Sequence, residues 1–260
     1  MKLGLQLSSL TPYLNGEENI ASTLKKVADM GYRYVQLQGI PDETDNDFLA
    51  DTLKQNGLLS VAVQADYPFG LEGHAEKIIE RSVVCGAEYL SFALIPREVD
   101  SVQSLSDFAV KVRRIGENVE KPGLKFSFHP IGCDYALLDG IPRYERLLTL
   151  LPELGLTFCV SAAFSSPVRV EEVFEKFTGR IDLVHFKEYV TLSDGKRQLV
   201  PLGEGEHDWK LYYELCQKNH VPYIFAEQES WQGDAFDAVR ASYHYLRKWV
   251  NNECTHSSLY

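Results

Sequence analysis

Ionisable side chains stand at the ends of two short apolar runs, where burying a charge is costly. His185 lies in the apolar stretch of residues 183–186, and Lys187 is two residues further on. In a strand these two side chains would point the same way. Glu227 directly follows residues 223–226, and a buried carboxylate needs a metal ion, a cation or hydrogen bonds to replace water. This combination favours proton transfer or metal binding, so we assign His185, Lys187 and Glu227 to one candidate catalytic site.

Most of the other apolar runs also end in a polar residue. His129 follows residues 125–128, and we expect either a catalytic role or a hydrogen-bonded core position for it. His207 precedes the start of a helical pattern, where a surface position is expected. Carboxamides and a hydroxyl end the remaining runs, and we expect these residues to bind substrate: Gln6, Gln36 (or Gln38), Gln64 and Ser161.

The elements that carry these residues follow a repeated form. A helical segment ends near a glycine or asparagine, and an apolar strand of about five residues follows, which is a typical strand length. Helical spacing appears between the strands, for example at Ile20, Leu24 and Val27, and again at Phe236, Val239 and Leu246. The predicted strands are residues 3–7, 34–37, 59–63, 89–92, 125–128, 157–160, 182–186 and 223–226.

Eight alternating strand–helix units predict a single (β/α)8 TIM barrel over residues 1–250, with a polar tail at residues 251–260. An open doubly wound sheet is the alternative. It would normally carry a glycine-rich turn after the first strand, where residues 8–12 read SSLTP. In a barrel the carboxyl ends of all strands meet at one mouth, which would bring the candidate residues together.

The longest connection, residues 189–205, follows the seventh predicted strand and therefore lies on the mouth side. Asp194 and Gly195 predict a hairpin turn within it. This segment is a candidate lid over the site.

Composition excludes several classes of function. The net charge of −11 disfavours nucleic-acid binding, which needs a basic surface. The sequence has no apolar stretch long enough for a membrane helix and no signal-peptide pattern, so a cytoplasmic protein that does not act at a membrane is expected. Five scattered cysteines without a Cys-x-x-Cys pair predict neither a disulfide framework nor a thiolate zinc site. A homodimer is compatible with the sequence but is not determined by it.

Several segments resemble motifs of the xylose isomerase-like sugar phosphate isomerase/epimerase family, whose members are TIM barrels. The segment of residues 128–135 (FHPIGCDY) is similar to a Tyr-His-Asn-His-x-x-Glu-Phe motif of the family. The segment of residues 179–188 (GRIDLVHFKE) is similar to its Gly-Arg-Ile-x-Leu-Val-His-x-Lys-Asp strand. Further similar segments are residues 3–7, 23–32, 201–209 and 226–228.

The resemblance implies a site that binds one divalent metal ion through Glu, Asp, His and Glu side chains from four successive strand ends. His185 and Glu227 match the last two ligands, and Asp134 is the best match for the first. Ser161 stands where the family has Asp, and a hydroxyl is a poorer ligand than a carboxylate for a hard ion. Binding of Mn, Mg, Co or Zn by Asp134, His185 and Glu227 therefore stays open. Glu204, in the segment of residues 201–209, is expected to contact substrate.

By resemblance, the expected function is isomerisation or epimerisation of a small sugar or polyol by proton transfer next to a carbonyl. Glu227 or Asp134 would act as base, with a metal or Lys187 and His185 as electrophile. Dehydration or lyase chemistry on an inosose or 3-keto sugar would use a similar enolate. A catalytically inactive sugar-binding barrel is the second class, favoured by Ser161, Phe164 and Ile131. An apurinic-site endonuclease shares the fold, but the charge of −11 disfavours it.

Overall fold

The computed structural model describes residues 1–250, which form twelve strands and nine α-helices. The strands are β1 (Lys2–Gln6), β2 (Tyr34–Leu37), β3 (Leu59–Asp66), β4 (Tyr89–Ala93), β5 (Lys125–His129), β6 (Leu137–Leu138), β7 (Ile141–Pro142), β8 (Gly155–Cys159), β9 (Ile181–Phe186), β10 (Glu188–Thr191), β11 (Arg197–Val200) and β12 (Tyr223–Ala226). The helices are α1 (Glu17–Asp29), α2 (Asn46–Gln55), α3 (Ala75–Val84), α4 (Val102–Glu120), α5 (Arg143–Leu150), α6 (Val160–Ala163), α7 (Val170–Lys176), α8 (Trp209–Lys218) and α9 (Ala235–Val250).

Eight of these strands close into a parallel barrel in the order β1-β12-β9-β8-β5-β4-β3-β2. Strand β1 pairs with both β12 and β2, which excludes the open sheet. The predicted (β/α)8 barrel is therefore confirmed. The eight predicted strands coincide with the barrel strands to within a few residues. The largest differences are that β3 extends to Asp66 and that Val160 begins a short helix instead of ending a strand.

The outer helices turn one apolar face toward the barrel, as their spacing predicts. In α1 the side chains of Ile20, Leu24 and Val27 are fully buried. In α9 Val239 and Leu246 are buried in the same way. Burial of these faces holds the helices against the strands and leaves the strand ends free to carry polar residues.

Large apolar and aromatic groups fill the lower part of the barrel. Tyr34 and Tyr89 each make an edge-to-face contact with Tyr223, with ring centroids 5.8 Å and 6.3 Å apart. Phe225 is fully buried in the same cluster. Gly4 makes room for it, because a Cβ atom there would overlap the Phe225 ring and approach the carbonyl oxygen of Tyr34 to 2.9 Å. This aromatic cluster closes the barrel below the carboxyl ends of the strands.

The connection after β9 contains the expected hairpin. Strands β10 and β11 pair antiparallel, and the Asp194 carboxylate accepts a hydrogen bond from the backbone amide of Lys196 at 3.0 Å. Gly195 has a φ of 82°, which the turn requires and which glycine adopts without strain. The predicted tail, residues 251–260, lies outside the described residues.

Within residues 1–250, none of the helices combines the length and the apolar character that crossing a membrane would require.

We predict that Gly4→Ala destabilises the protein by about 1–3 kcal/mol, the range for adding a methyl group to a packed core. Urea unfolding followed by circular dichroism measures this. Gly233→Ala is the matched control, because nothing lies within 4 Å of a Cβ atom there. Equal stability of the two variants would contradict the packing described for Phe225.

Candidate active site

An ion pair between a buried carboxylate and a half-buried lysine lies at the mouth of the barrel. Glu227 follows β12 directly and is 4% exposed. Its Oε2 lies 3.1 Å from Nζ of Lys187 and 3.6 Å from Nδ1 of His185. Ser8, just after β1, donates to its Oε1 at 3.5 Å. The parallel pairing of Ala226 with Phe186 brings these residues side by side, as the strand-end pattern predicts.

The two charges of this pair stabilise each other. Burial by itself would raise the pKa of Glu227, but attraction by Lys187 and then by His185 outweighs it and holds this pKa well below its usual range. Burial alone would lower the pKa of Lys187, yet attraction by Glu227 raises it above its ordinary value. Glu229, 2.8 Å from the same ammonium, adds a second partner at the surface. Both members therefore stay ionised across the physiological pH range.

A chain of carboxamides connects the two histidines of the mouth. Nε2 of His185 lies 2.7 Å from Oε1 of Gln36, and Nε2 of Gln36 donates to Oε1 of Gln64 at 2.7 Å. Nε2 of Gln64 lies 3.3 Å from Nδ1 of His129 and donates to Oε1 of Gln38 at 3.0 Å. Gln36, Gln64 and His129 thus lie at the mouth, where the strand ends place them. We call the Gln36–Gln64 pair the amide relay.

The direction of the amide relay fixes the histidine tautomers. Since an amide oxygen only accepts, Nε2 of His185 must carry a proton to bond to Gln36. Since an amide nitrogen only donates, Nδ1 of His129 must be unprotonated to accept from Gln64. Burial and then the nearby His185 lower the pKa of His129 well below its ordinary value. His129 is therefore neutral and presents an Nε2–H group, while His185 directs Nδ1 toward Glu227.

Several buried polar atoms at the mouth have no hydrogen-bond partner among the described residues. They include both amide atoms of Gln6, Nε2 of His129 and Oε1 of Gln228. The strand register places Gln6 of β1 beside Gln36 of β2. On the other side of β1, Leu5 pairs with Ala226, so Gln6 comes next to Glu227. Buried polar groups are normally paired. These atoms are therefore candidates for contact with a bound polar molecule.

Asp134 does not join this cluster. One carboxylate oxygen accepts from the backbone amide of Ile95 and the other from that of Ile131, both at 2.9 Å. Burial, opposed by these two bonds, raises the pKa of Asp134 to about 6. The short side chain binds its own turn and the loop after β4 instead of reaching the mouth. The expected roles of Asp134 as metal ligand and as base are therefore not supported by the structure.

The donor set does not fit a divalent metal. No group of three His, Cys, Asp or Glu side chains in residues 1–250 could hold one. Ser161, in the position of the family Asp, donates its hydroxyl hydrogen bond to the carbonyl oxygen of Lys187. The ammonium of Lys187 already neutralises Glu227 at 3.1 Å. The site expected from Asp134, His185 and Glu227 is not assembled, and a lysine supplies the positive charge.

One expectation on the loop after β11 is wrong. Glu204 is exposed, and its contact with substrate stays a prediction. His207 is not a surface residue: its side chain is 14% exposed, and Nδ1 lies 2.6 Å from Oε1 of the buried Glu188. Its ring stacks on Phe164 with centroids 4.1 Å apart. The sequence offers one signal for this contact: Glu188 follows Lys187 directly at the end of an apolar run, and a buried carboxylate there needs a partner.

The Glu188–His207 contact ties the hairpin to the barrel. Trp209 Nε1 and the backbone amide of Tyr189 also donate to the Glu188 carboxylate. This network lies next in sequence to Lys187 and fixes the chain direction just after it. We interpret it as support for the position of Lys187.

Neither a protein-family model nor a curated protein matches this chain. Solved structures do match its fold. A sugar phosphate isomerase/epimerase from Parabacteroides distasonis has a TM-score of 0.79 at 16% identity, covering 95% of this chain and 93% of its own. The probable 3-DHS dehydratase AsbF from Bacillus anthracis has a TM-score of 0.75 at 16% identity, covering 95% and 99%. The IolI protein, with a bound zinc atom, has a TM-score of 0.73 at 15% identity, covering 97% and 99%.

These matches confirm the resemblance at the level of the fold: the chain has the barrel of the xylose isomerase-like sugar phosphate isomerase/epimerase proteins along almost its whole length. The zinc belongs to the IolI protein. In this chain, the positions that the resemblance assigned to metal ligands carry Asp134, Ser161, His185 and Glu227. Asp134 binds two backbone amides, Ser161 binds a carbonyl oxygen, and Glu227 is paired with Lys187.

We predict that Lys187→Met lowers the free energy of unfolding by about 3 kcal/mol at pH 7, because it leaves a buried carboxylate without its cation. In the wild type, the lowered pKa of Glu227 contributes stability that is fully present above roughly pH 4.3 and lost as the pH falls further. The raised pKa of Lys187 contributes stability that is present below roughly pH 10.4 and lost above it.

The difference between wild type and Lys187→Met should shrink as the pH falls from 7 toward 4, because the buried Glu227 of the variant, without its cation, becomes protonated whereas that of the wild type stays ionised. Urea unfolding across this pH range measures it. Lys187→Arg, which keeps a cation, is the control. A difference that stays constant with pH would show that Lys187 acts through packing alone.

We also predict that Gln64→Glu reverses the tautomer of His129, because a carboxylate only accepts and Nδ1 must then carry a proton. Nitrogen-15 NMR of histidine-labelled protein distinguishes protonated from bare ring nitrogens, and His129→Asn assigns the signal. Gln55→Glu on the exposed end of α2 is the control. An unchanged His129 spectrum in Gln64→Glu would refute the direction assigned to the amide relay.

Proposed function

We propose that this protein catalyses proton transfer next to the carbonyl carbon of a small sugar or polyol, as an isomerase or epimerase. The observation that carries the proposal is the buried Lys187–Glu227 pair, 3.1 Å apart, at a mouth lined by carboxamides and two histidines. A carboxylate beside an ammonium group supplies both parts of the reaction, a base for the carbon acid and a positive charge for the oxygen.

In the proposed step, Glu227 removes the proton from the carbon next to the carbonyl. The electron pair of the broken C–H bond forms a C=C bond, and the carbonyl oxygen takes the negative charge as an enediolate. Lys187 donates a hydrogen bond to that oxygen. When the ammonium group turns from Glu227 to this oxygen, the attraction that lowers the pKa of Glu227 weakens, so the carboxylate becomes a stronger base when substrate is bound.

Return of the proton decides the product. Delivery to the neighbouring carbon gives an isomer, and delivery to the opposite face of the same carbon gives an epimer. His129 Nε2–H can donate to a second substrate oxygen, because its tautomer is fixed by Gln64. If the same enediolate instead loses a leaving group, the reaction is a dehydration or lyase reaction that shares the first step.

The proposed steps use no metal ion, because the ammonium group of Lys187 supplies the positive charge that stabilises the enediolate oxygen. The retained ion pair also argues against an inactive sugar-binding barrel. A buried charge pair costs desolvation energy, and an apolar pair would fill the space at lower cost.

We predict that Glu227→Gln lowers the rate of substrate proton exchange by about 10³-fold, within the range that a general base contributes. Exchange into deuterated water, followed by NMR of a panel of ketoses and inososes in the presence of EDTA, measures it without knowledge of the final product. Glu175→Gln, on the exposed face of α7, is the matched control. Undiminished exchange in Glu227→Gln would remove this carboxylate from the mechanism.

A further inference from the structure

A cavity of about 300 Å³ opens between the turn after β1 and the ends of β2 and β3. Two of its lining residues belong to the network at the mouth. Ser8 donates to Glu227, and Gln64 contacts His129. A small-molecule site has a volume of about this size or larger. Through Ser8 and Gln64 the cavity thus adjoins the side chains that contact Glu227 and His129, and it is large enough for a molecule the size of a monosaccharide.

Asp66, at the end of β3, lines this cavity with a half-buried carboxylate. Within residues 1–250 it makes no side-chain hydrogen bond and no ion pair. Burial raises the pKa of this carboxyl. A carboxylate removed partly from water gains most from donors that a ligand brings, and neighbouring hydroxyl groups are such donors. Gln38 extends the polar lining next to it.

Arg81 is the one Lys or Arg among the described residues that line the cavity, and most of its donors are used within the protein. Its guanidinium group donates to the carbonyl oxygens of Ile40, Pro41, Asp42 and Thr44 and to Asn46 Oδ1, at 2.9–3.3 Å. Arg81 is 6% exposed. A phosphate group would therefore meet one largely enclosed cation and two carboxylates, those of Asp66 and of the exposed Asp42.

We propose that this cavity is the substrate pocket, that it binds an uncharged polyhydroxy compound through two neighbouring hydroxyls on Asp66, and that it rejects phosphorylated compounds. This proposal rests on the proposed function in one respect: the polyol that binds in the cavity is taken to be the substrate of the reaction. Charge complementarity carries the selectivity: a neutral diol satisfies the carboxylate, whereas a phosphate dianion is repelled by it.

The test compares matched neutral and phosphorylated probes. Side-chain amide signals of Gln38 and Gln64 in nitrogen-15 NMR spectra report binding of myo-inositol, D-fructose, D-fructose 6-phosphate and inorganic phosphate to the full-length protein. We expect concentration-dependent shifts with at least one neutral polyol and at least tenfold weaker binding of the phosphorylated probes. Absence of shifts with both neutral polyols, or equal binding of D-fructose and its phosphate, would overturn the proposal.

One variant and its control test the contribution of the Asp66 carboxylate to binding. Asp66→Asn should weaken polyol binding about tenfold and reduce the discrimination against D-fructose 6-phosphate, whereas Asp51→Asn, on the exposed face of α2, should change neither. Unchanged discrimination in Asp66→Asn would remove Asp66 from the pocket.

The proton-exchange assay separates this proposal from the proposed function. Polyol binding without proton exchange would support the proposed pocket and refute the proposed proton transfer. Proton exchange on phosphorylated substrates alone would support the proposed proton transfer and refute the proposed pocket.

Discussion

The charge pair between Lys187 and Glu227 constrains the arrangement around the mouth, since neither group can be buried without the other. A carboxylate that is 4% exposed would be driven to its neutral form in an apolar pocket, and the ammonium keeps it ionised. Parallel pairing of β9 with β12 brings the two charges together. Ser161 bonds to the carbonyl oxygen of Lys187, and Glu188 fixes the chain that follows. Each of these contacts limits how far the lysine can move from its carboxylate.

Carboxamides surround this pair and serve a different purpose. An amide does not titrate, so the donor and acceptor atoms that Gln36 and Gln64 present to the histidine rings do not change with pH. The amide relay gives the two histidines different roles: His129 presents its Nε2–H group, and His185 directs Nδ1 toward the carboxylate of Glu227. Mounting these groups on strand ends keeps them rigid, because each strand is hydrogen-bonded on both sides in a closed barrel.

The same arrangement explains why a metal site fails to form despite the resemblance to metal-binding barrels. Hard cations prefer several carboxylate oxygens, and the two carboxylates described next to the ammonium group, Glu227 and Glu229, are both paired with Lys187. Asp134 is engaged by two backbone amides, and Ser161 by a carbonyl. The ammonium group supplies the positive charge at the mouth, and two carboxylates line the adjacent cavity against one arginine. The proposed preference for uncharged polyols follows from that electrostatic balance.

The sequence by itself determined the barrel and the residues at its strand ends, because strand and helix periodicity and the burial of apolar runs are local properties. Gln36, His129, His185 and Glu227 were predicted in this way, and they lie together at the mouth. Only the tertiary structure decided which partner each polar atom takes. The diversion of Asp134 to the loop after β4, the burial of His207 against Glu188 and the half-buried Asp66 lining a cavity all depend on contacts between segments far apart in sequence. Hydrogen bonding is decided by distances of a few tenths of an ångström, and no pattern along the chain specifies those.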